Sequence, residues 1–334
     1  MHLADGFADP KVWVTMDVVA AAAVGYASRR AQRELAPQRV TLMGIAAAFV
    51  FAAQMLNFRI GPSSGHLVGG ALVAILFGPW IGMLVMTAVI ALQALFFADG
   101  GLAALGINVF NMGLVGTLLG YFAYRGLRQL LRFRGGEYLS AGLAAYLSLV
   151  AGAVLLSFQL ALFQPQFPLG PFLGTMLAVH LVVGIGEALA TAAALAVVMR
   201  SAPQAVATDG QVAGAFASSW AVAAMVLIVA MATVGAQFAS PLEDGLEYSI
   251  SHAQLAPQHP AAALPAWWPR VFADYTVAGR ADSRLGLAAA GLVGVLAVLV
   301  LTAGVGHALA PARRRRARPG PGAGGLADPA KDGR

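Results

Sequence analysis

Long apolar runs, separated by short polar or glycine-rich connections, dominate the chain up to about residue 310. Apolar runs of this length predict helices rather than strands, and about 20 residues suffice to cross the hydrocarbon core of a bilayer. The pattern therefore predicts an all-α, polytopic helical membrane protein. The predicted helices lie near residues 12–28, 40–58, 67–77, 79–97, 104–124, 138–162, 172–199, 216–237 and 285–309.

The predicted helix 67–77 stands apart because it is short. Joined to the next run, it would form a helix of about 46 Å, far longer than the roughly 30 Å of hydrocarbon. Gly78-Pro79 provides a break between the two. Residues 67–77 alone cover only about 17 Å, so we expect a half-span that the preceding irregular segment completes and that protein buries.

Composition supports the membrane assignment and restricts the chemistry. Apolar residues make up 59% of the chain, charged residues only 11%, and the mean hydropathy is +0.75. The chain has no cysteine, which excludes disulfides and thiolate metal sites, so a bound metal would need nitrogen or oxygen ligands. Neither Lys11 nor Lys331 lies in a phosphate-binding loop motif, so another subunit would have to hydrolyse any ATP.

The basic residues predict the orientation of the chain. If 67–77 and 79–97 cross separately, 16 of the 21 lysines and arginines face the cytoplasm, in agreement with the positive-inside tendency. We therefore expect nine membrane segments, seven plus two, with the N-terminus outside and the C-terminus inside a bacterial cytoplasmic (inner) membrane. Because the net charge of +6 arises from these clusters, it indicates membrane lipid rather than nucleic acid as the partner.

A polar stretch rich in alanine and glutamine at 201–215 is a predicted linker. It separates a membrane domain of seven segments, residues 1–200, from a two-helix domain, residues 216–310. Residues 311–334 are rich in arginine, proline and glycine, a composition that predicts a disordered basic tail.

The first two residues carry the main chemical signal. Residues 1–11 lack the regions of a cleavable signal, so we expect the segment to be retained. Methionine removal favours a small second residue, and His2 is not small, so we expect Met1 to stay as well. Its amine, the His2 amide nitrogen and the His2 imidazole can then close two fused chelate rings around one metal ion, with His66 as a fourth nitrogen on the same side. Four such nitrogens suit Ni(II) or Cu(II) better than Zn(II). The alternatives are a frayed chain end and an ordinary interfacial histidine.

Six motifs follow one another along the first 200 residues. They are Met1-His2-x-x-Asp5-Gly6-Phe7, Ser64-Gly65-His66-Leu67-x-Gly69-Gly70-Ala71-Leu72, Gly78-Pro79-Trp80, Gln93-Ala94-Leu95-x-Phe97-x-Asp99-Gly100-Gly101-Leu102, Asn108-x-Phe110-Asn111-Met112 and Gly184-Ile185-Gly186-Glu187-Ala188-Leu189. In this order they resemble the CbiM/NikM family, the substrate-binding membrane component of cobalt and nickel energy-coupling-factor transporters.

This resemblance implies a ligand set. The terminal amine and amide nitrogens, the imidazole of the second residue and the histidine of the S-G-H motif hold the metal in that family, which here means Met1, His2 and His66. Four further polar residues become candidates for a shell that orients these ligands: Asp5, Asp99, Asn108 and Asn111. The alternative for those four is turn and helix-capping chemistry.

The second domain resembles the companion small component, CbiN/NikN, which has two spans and a P-D-G-L-E motif. Residues 244–247 keep D-G-L-E, whereas Glu243 stands where proline is usual. The resemblance therefore implies a fusion of the two components, an arrangement that is commoner among nickel than among cobalt transporters.

Three ionisable residues lie inside predicted spans, where such groups are costly and often functional. They are Asp17, His180 and Glu187. His180 and Glu187 are seven residues apart and so share a helix face, which makes them candidates for an ion path. The alternative is that they hydrogen-bond to neighbouring helices and fix the packing.

The resemblance implies a function as the substrate-capturing component of an energy-coupling-factor transporter. The chain would take up nickel or cobalt ions together with a transmembrane coupling (T) subunit and cytoplasmic ATPase subunits, and would not itself be an enzyme. One alternative is an ion-coupled permease that uses Asp17 and Glu187. Another is an intramembrane serine hydrolase with Ser63 or Ser64 as nucleophile, but its motif requires a strand-to-helix turn and no strand is predicted there. The sequence does not settle nickel against cobalt, although the fusion tilts the choice slightly toward nickel.

Overall fold

The structure is a computed structural model that describes residues 1–201, 218–261, 272–276 and 283–310. Its regular secondary structure there is helical apart from one short hairpin, which confirms the predicted all-α, polytopic class. Most of the predicted linker and all of the predicted tail lie outside these residues. The α-helices are α1 (Pro10–Glu34), α2 (Val40–Gln54), α3 (Gly70–Phe77), α4 (Pro79–Leu92), α5 (Leu105–Asn108), α6 (Gly116–Leu130), α7 (Gly136–Ala161), α8 (Leu169–Ser201), α9 (Ser218–Thr233), α10 (Gly245–His252) and α11 (Arg284–Leu309).

Six helical stretches of the described chain are long and apolar enough to cross a membrane. The predicted count of nine is not reached by this measure, because α2 has 15 residues and α3 only eight. Helix α1 is long enough, with 25 residues, but more polar. The orientation of the chain in the membrane stays a prediction. The six stretches are Pro79–Phe97, Leu105–Leu130, Gly136–Ala161, Leu169–Ser201, Trp220–Phe238 and Arg284–Leu309.

The short helix α3 begins at Gly70, later than the predicted start at 67. Gly69 has a left-handed φ of 82° and Gly78 a φ of 87°, so glycine conformations limit the helix at both ends. Pro79 then begins α4, at a position where its missing N–H is not needed. All eight residues of α3 are buried, as expected of a helix that covers only about 12 Å of the membrane.

A hairpin precedes α3, where the sequence pattern predicted no strand. Helix α2 ends at Gln54 rather than at 58, and the chain continues into the antiparallel strands β1 (Phe58–Ile60) and β2 (Ser63–Gly65). The hairpin turns at Gly61, whose φ is 55°. The predicted helix end was wrong because the chain after 54 leaves the helix and pairs in a hairpin, with Phe58 opposite Gly65 and Ile60 opposite Ser63.

The two serines of β2 connect the hairpin to the second domain. Ser63 Oγ donates a hydrogen bond to the Glu243 carbonyl over 3.0 Å, and Ser64 Oγ donates one to the Leu242 carbonyl over 2.7 Å. The Ser64 amide also donates to the Glu243 carbonyl, over 2.8 Å. Both serines lie in a strand of a hairpin, not in the strand-to-helix turn of a nucleophile, so the geometry gives the hydrolase alternative no support.

The second domain packs onto the first through glycines of α11. Gly294 lies so close to the ring of Phe51 in α2 that a Cβ would find no room, and Gly291 meets the Ala232 carbonyl in α9 in the same way. Such small residues let helices approach closely. Close packing is needed inside a membrane because the hydrophobic effect does not drive helices together there. Helix α11 is therefore held between α2 and α9.

We expect Gly294→Leu to destabilise the protein by about 1–3 kcal/mol, because the added side chain would overpack the contact with Phe51. Thermal unfolding in detergent measures this. Gly304→Leu is the matched control, since Gly304 lies in the same helix with no atom near its Cβ position. Equal unfolding temperatures for the two variants would contradict the proposed packing.

The stretch between the predicted helices 216–237 and 285–309, where the sequence predicted no helix, contains the helix α10. Asp244 is its N-cap: Asp244 Oδ1 accepts hydrogen bonds from the amides of Leu246 and Glu247, and the Glu247 side chain accepts one from the Asp244 amide. This reciprocal capping box fixes the Asp244 side chain. Its second carboxylate oxygen, Oδ2, is left to contact another part of the chain.

Candidate metal centre

The amino terminus is buried rather than frayed. Met1, His2 and Leu3 are 6%, 8% and 0% exposed. The Leu3 amide donates a hydrogen bond to Asn108 Oδ1 (2.8 Å), and Asn108 Nδ2 donates one to the Leu3 carbonyl (3.1 Å). The Gly101 amide donates to the same carbonyl over 2.8 Å. The helix α5 and the loop before it therefore hold the first three residues in one place.

The Met1 amine lies between His66 and Asp244. Its nitrogen is 2.8 Å from His66 Nε2 and 2.7 Å from Asp244 Oδ2. His66 Nδ1 is 3.0 Å from the Leu67 carbonyl, which can only accept, so the His66 proton belongs on Nδ1. The lone pair of Nε2 therefore faces the amine, as a metal ligand requires.

The distance between these two nitrogens matches that of neighbouring ligands in a square plane. Two nitrogens that are each about 2.0 Å from a metal and at a right angle to each other lie about 2.8 Å apart. Met1 N and His66 Nε2 have this separation. In the chelate expected from the sequence they would be adjacent ligands, with the His2 amide nitrogen opposite His66.

The His2 imidazole is held by a different carboxylate. Its Nδ1 is 3.1 Å from Asp99 Oδ1, and its ring stacks on that of His66 with centroids 5.4 Å apart and an interplanar angle of 14°. Asp99 Oδ2 in turn accepts a hydrogen bond from the Tyr275 hydroxyl over 2.7 Å. Nδ1 is the nitrogen that can close a chelate with the His2 amide, and it can bind only one partner in the plane of its ring. Metal binding there must therefore replace the contact with Asp99.

The charges of the site favour a cation. Burial alone would raise the pKa of Asp244, but the amino-terminal charge and His66 hold the pKa well below its usual range. Burial would likewise raise the pKa of Asp99, but the charge of His2 and the hydrogen bonds from His2 and Tyr275 outweigh burial, so this pKa is also lowered. Burial and the amino-terminal charge lower the pKa of His66. Both carboxylates are therefore negative at neutral pH, and His66 is in the neutral form that binds metals.

Glu187 fixes the chain directly after His66. Its Oε2 accepts a hydrogen bond from the Val68 amide over 2.7 Å, and its Oε1 accepts one from the Gly69 amide over 2.8 Å. Gln54 Nε2 donates to the Val68 carbonyl over 2.9 Å. Glu187 is 2% exposed and satisfies free amides at the start of α3. These contacts match the packing alternative named for Glu187, and its place on an ion path stays a prediction.

We expect Glu187→Ala to weaken metal binding about 10-fold, because hydrogen bonds to a charged acceptor contribute roughly 1.5–3 kcal/mol and here fix the segment that carries His66. Metal titration of the purified protein tests this. The metal affinity of Glu187→Gln, which keeps one acceptor oxygen, should lie between the affinities of Glu187→Ala and the native chain. Glu34→Ala, at an exposed site of α1, is the control. Native affinity in a folded Glu187→Ala protein would refute the assigned role.

The other predicted residues take separate positions. Asp5 Oδ1 accepts a hydrogen bond from the Ala104 amide over 3.0 Å and so supports the loop beside Leu3. Asn111, in a π-helical turn at 109–115, donates from Nδ2 to Gln159 Oε1 over 2.6 Å. Asn111 Oδ1 is buried and has no partner among the described residues. Turns of this kind are frequent at functional sites.

His180 lies beside the site but makes its own contact. Its Nδ1 is 2.8 Å from the Met176 carbonyl in the same helix, and its ring faces Gly245. A small cavity of about 10 Å³ connects it to the centre, lined among others by Met1, His66 and Asp244. Its role in an ion path is untested. Asp17, the third ionisable residue of the predicted spans, accepts a hydrogen bond from the Gly106 amide over 2.8 Å.

The sequence reasoning missed Asp244 and Tyr275 as parts of the site. Both belong to the second domain, and both contact groups at the amino terminus. The retained D-G-L-E motif was the available signal for Asp244, whereas Tyr275 lies in no motif. Within the described chain, no group of three or more His, Asp or Glu side chains could hold a metal without other ligands. A centre here therefore depends on the main-chain nitrogens of the terminus.

Together, the fold and this site define a multi-pass helical membrane protein whose buried amino terminus faces a histidine. The family model for CbiM, described as the cobalt uptake substrate-specific transmembrane region, matches residues 2–205, and the model for the PDGLE domain matches residues 218–311. The chain therefore belongs to the CbiM/NikM family and is fused to a NikN-like PDGLE domain, as the resemblance indicated.

Known relatives agree with this assignment. A protein of Archaeoglobus fulgidus named as a fused nickel transport protein, NikMN, is 33% identical over 90% of this chain and 96% of its own length. The fused nickel transport protein NikMN of Rhodobacter capsulatus is 33% identical over 61% of this chain and 63% of its own length. A crystal structure of a truncated transition metal transporter, 28% identical, superposes with a TM-score of 0.55 over 60% of this chain and 99% of the other.

Proposed function

We propose that this chain captures Ni²⁺ or Co²⁺ as a transport substrate at the outer face of the cytoplasmic membrane. The ligands are the Met1 amine, the His2 amide nitrogen, His2 Nδ1 and His66 Nε2. The main support is the separation of 2.8 Å between Met1 N and a His66 nitrogen whose tautomer leaves its lone pair free. The names of the relatives, which refer to nickel, and the description of the family model, which refers to cobalt uptake, support the choice of ions.

Asp99 and Asp244 act on the ion without being among these four ligands. In the structure each carboxylate contacts a nitrogen that the ion would use: Asp99 contacts His2 Nδ1, and Asp244 contacts the Met1 amine. The incoming cation displaces Asp99 from His2 Nδ1, whose proton moves to Nε2, while the Met1 ammonium and the His2 amide each release one proton to solvent as their nitrogens bind. The two negative charges then compensate part of the charge of the ion. Release needs the reverse step, a shift of the terminal segment away from the His66 loop, after which the carboxylates recapture the nitrogens.

Transport needs an energy source, and the sequence of this chain has no motif through which it could bind and hydrolyse ATP. We propose a substrate-binding component of an energy-coupling-factor transporter, in which residues 1–200 bind the ion and residues 216–310 form the NikN-like domain. A transmembrane coupling subunit and cytoplasmic ATPases would complete the assembly. This fits the chain's lack of a phosphate-binding loop motif. The alternative of an ion-coupled permease would depend on Asp17 and Glu187, whose carboxylates accept hydrogen bonds from backbone amides.

Uptake of radioactive nickel into cells tests the proposal. The chain is expressed with its coupling subunit and with either active ATPases or ATPases whose catalytic residues are inactivated. We expect uptake only with the active ATPases, while metal binding to the purified chain is unchanged. Undiminished uptake with the inactive ATPases would establish the permease instead. Elemental analysis of the protein purified from medium with both metals distinguishes nickel from cobalt.

A further inference from the structure

The side chain of Met1 is buried as deeply as its amine is. A chain end normally frays, yet Met1 is 6% exposed and belongs to the main hydrophobic core. Its Cε lies against α7, where a Cβ on Gly152 would stand only 3.3 Å from it. The side chain therefore occupies a defined place inside the helix bundle and does not lie on the outer surface.

Small residues of three helices line the cavity beside this side chain, together with Val68, Asn111, Met112, Ser148, Leu149 and Glu187. Gly70 and Ala71 come from α3, Gly116 from α6 and Gly152 from α7, and we call these four residues the Met1 pocket. Only about 10 Å³ of free space remains beside the Met1 side chain, roughly the room for one water molecule. A long, unbranched side chain fits such a narrow space, and methionine is the adaptable apolar residue of this shape.

We propose that the Met1 pocket is an anchoring site for the first side chain, and that it sets the metal affinity by holding the amine beside His66. This rests on the proposed function, because it assumes that the amine is a ligand. The pocket makes Met1 a positioning residue through its side chain, in addition to a ligand through its nitrogen. Neither the chelate chemistry nor the His66 contact requires any particular first side chain.

The physical reason is the number of conformations open to a chain end. Without the side-chain anchor, the contacts of the amine with His66 and Asp244 alone orient the first residue, and the amine faces His66 in a smaller fraction of the molecules. The dissociation constant rises in inverse proportion to that fraction. Burying a methionine side chain rather than exposing it corresponds to a factor of about 10 to 100 in such an equilibrium.

The decisive test changes the anchor and keeps every metal ligand. The full chain is produced behind a leader that a protease removes directly before residue 1, to give either the native Met1 or Met1→Ala. Nickel is titrated into both proteins in detergent. We expect Met1→Ala to bind about 10-fold to 100-fold more weakly, but to show the same absorption spectrum when saturated, since all four nitrogens remain. Equal affinity would overturn the proposal.

Met1→Leu, made by the same route, separates an apolar anchor from a sulfur ligand. Leucine retains most of the apolar volume and removes the sulfur, so we expect an affinity within a few-fold of native. A loss as large as that of Met1→Ala would overturn the anchor in favour of a role for the sulfur. If the cleaved native protein itself binds no nickel, the proposed function fails and not the anchor alone.

Filling the pocket from the opposite side provides an independent measurement. Gly152→Leu should expel the Met1 side chain and weaken nickel binding, whereas the control Gly174→Leu, at an open position of α8, should not. The effects of Gly152→Leu and Met1→Ala should not add in the double variant, because both remove the same interaction. Full additivity of the two effects would contradict the proposal.

Discussion

A Gly-Ser-Gly extension in front of Met1 is expected to lower the nickel affinity of the purified protein at least about 1,000-fold, or by ~4 kcal/mol. The extension converts the Met1 amine into an amide while leaving every side chain unchanged. An amide nitrogen carries one hydrogen and no positive charge, so it cannot serve His66 and Asp244 together. The new amine would lie three residues before Met1, in solvent and away from the His66 ring.

The extension has to be longer than one residue. A single added residue would place His2 third in the chain, where the amine, two amides and the imidazole can form a chelate of their own without His66. With three added residues that arrangement is lost. The measurement uses one preparation before and after a protease cuts directly before Met1, so the two samples differ only in the extension. Equal nickel affinity before and after the cut, with equal unfolding temperatures, would refute the proposed ligand set.

The sequence alone predicts the local half of the candidate site. Adjacent residues place the amine, the amide and the imidazole of His2 within one chelate, and no tertiary fold is needed to see this. The S-G-H motif likewise indicated His66, and the structure brings its Nε2 to 2.8 Å from the amine. The first argument depends on short-range chemistry and the second on the resemblance to the CbiM/NikM family, and metal ligation by these groups stays a prediction.

The contacts of the second domain were beyond that reasoning. Asp244 reaches the amine only because β2 pairs with the chain at residues 242–244 and because the capping box turns its Oδ2 away from α10. Tyr275 reaches Asp99 through the packing of its ring on Phe97. Such contacts between residues more than a hundred positions apart follow from tertiary packing, which hydrophobic periodicity does not encode.

The ends of the elements were also set by more than the apolar pattern. The run at 40–58 is mostly apolar, with Thr41, Gln54 and Asn57 as its polar side chains, and its periodicity does not mark where the helix ends before strand β1. The start of α3 depends on the left-handed conformation of Gly69 and on the Glu187 carboxylate that accepts two amide hydrogens there. The second is a tertiary interaction. Gly78-Pro79, in contrast, is a local signal, and it predicted the break correctly.

His66→Ala is expected to reduce nickel affinity about 100-fold, or by ~2.7 kcal/mol, and to alter the absorption spectrum of the bound ion. The smaller effect follows because three nitrogens of the first two residues remain. Removing the imidazole also removes the acceptor for the Met1 amine and the ring that stacks on His2, so the remaining ligands are less fixed. The spectrum must change because a different atom then completes the coordination of the metal.

The spectrum separates a ligand from a residue that only supports the fold. His252→Ala is the matched control: His252 is an exposed histidine of α10, stacked on Tyr248, and its loss should leave both affinity and spectrum unchanged. A supporting role for His66 would lower affinity but give the native spectrum at saturating nickel, which would contradict ligation. We expect the spectrum to change in His66→Ala and to stay native in Glu187→Ala. This result would assign different roles to the two residues, as the hydrogen bonds indicate: His66 binds the ion, and Glu187 holds the segment that presents it.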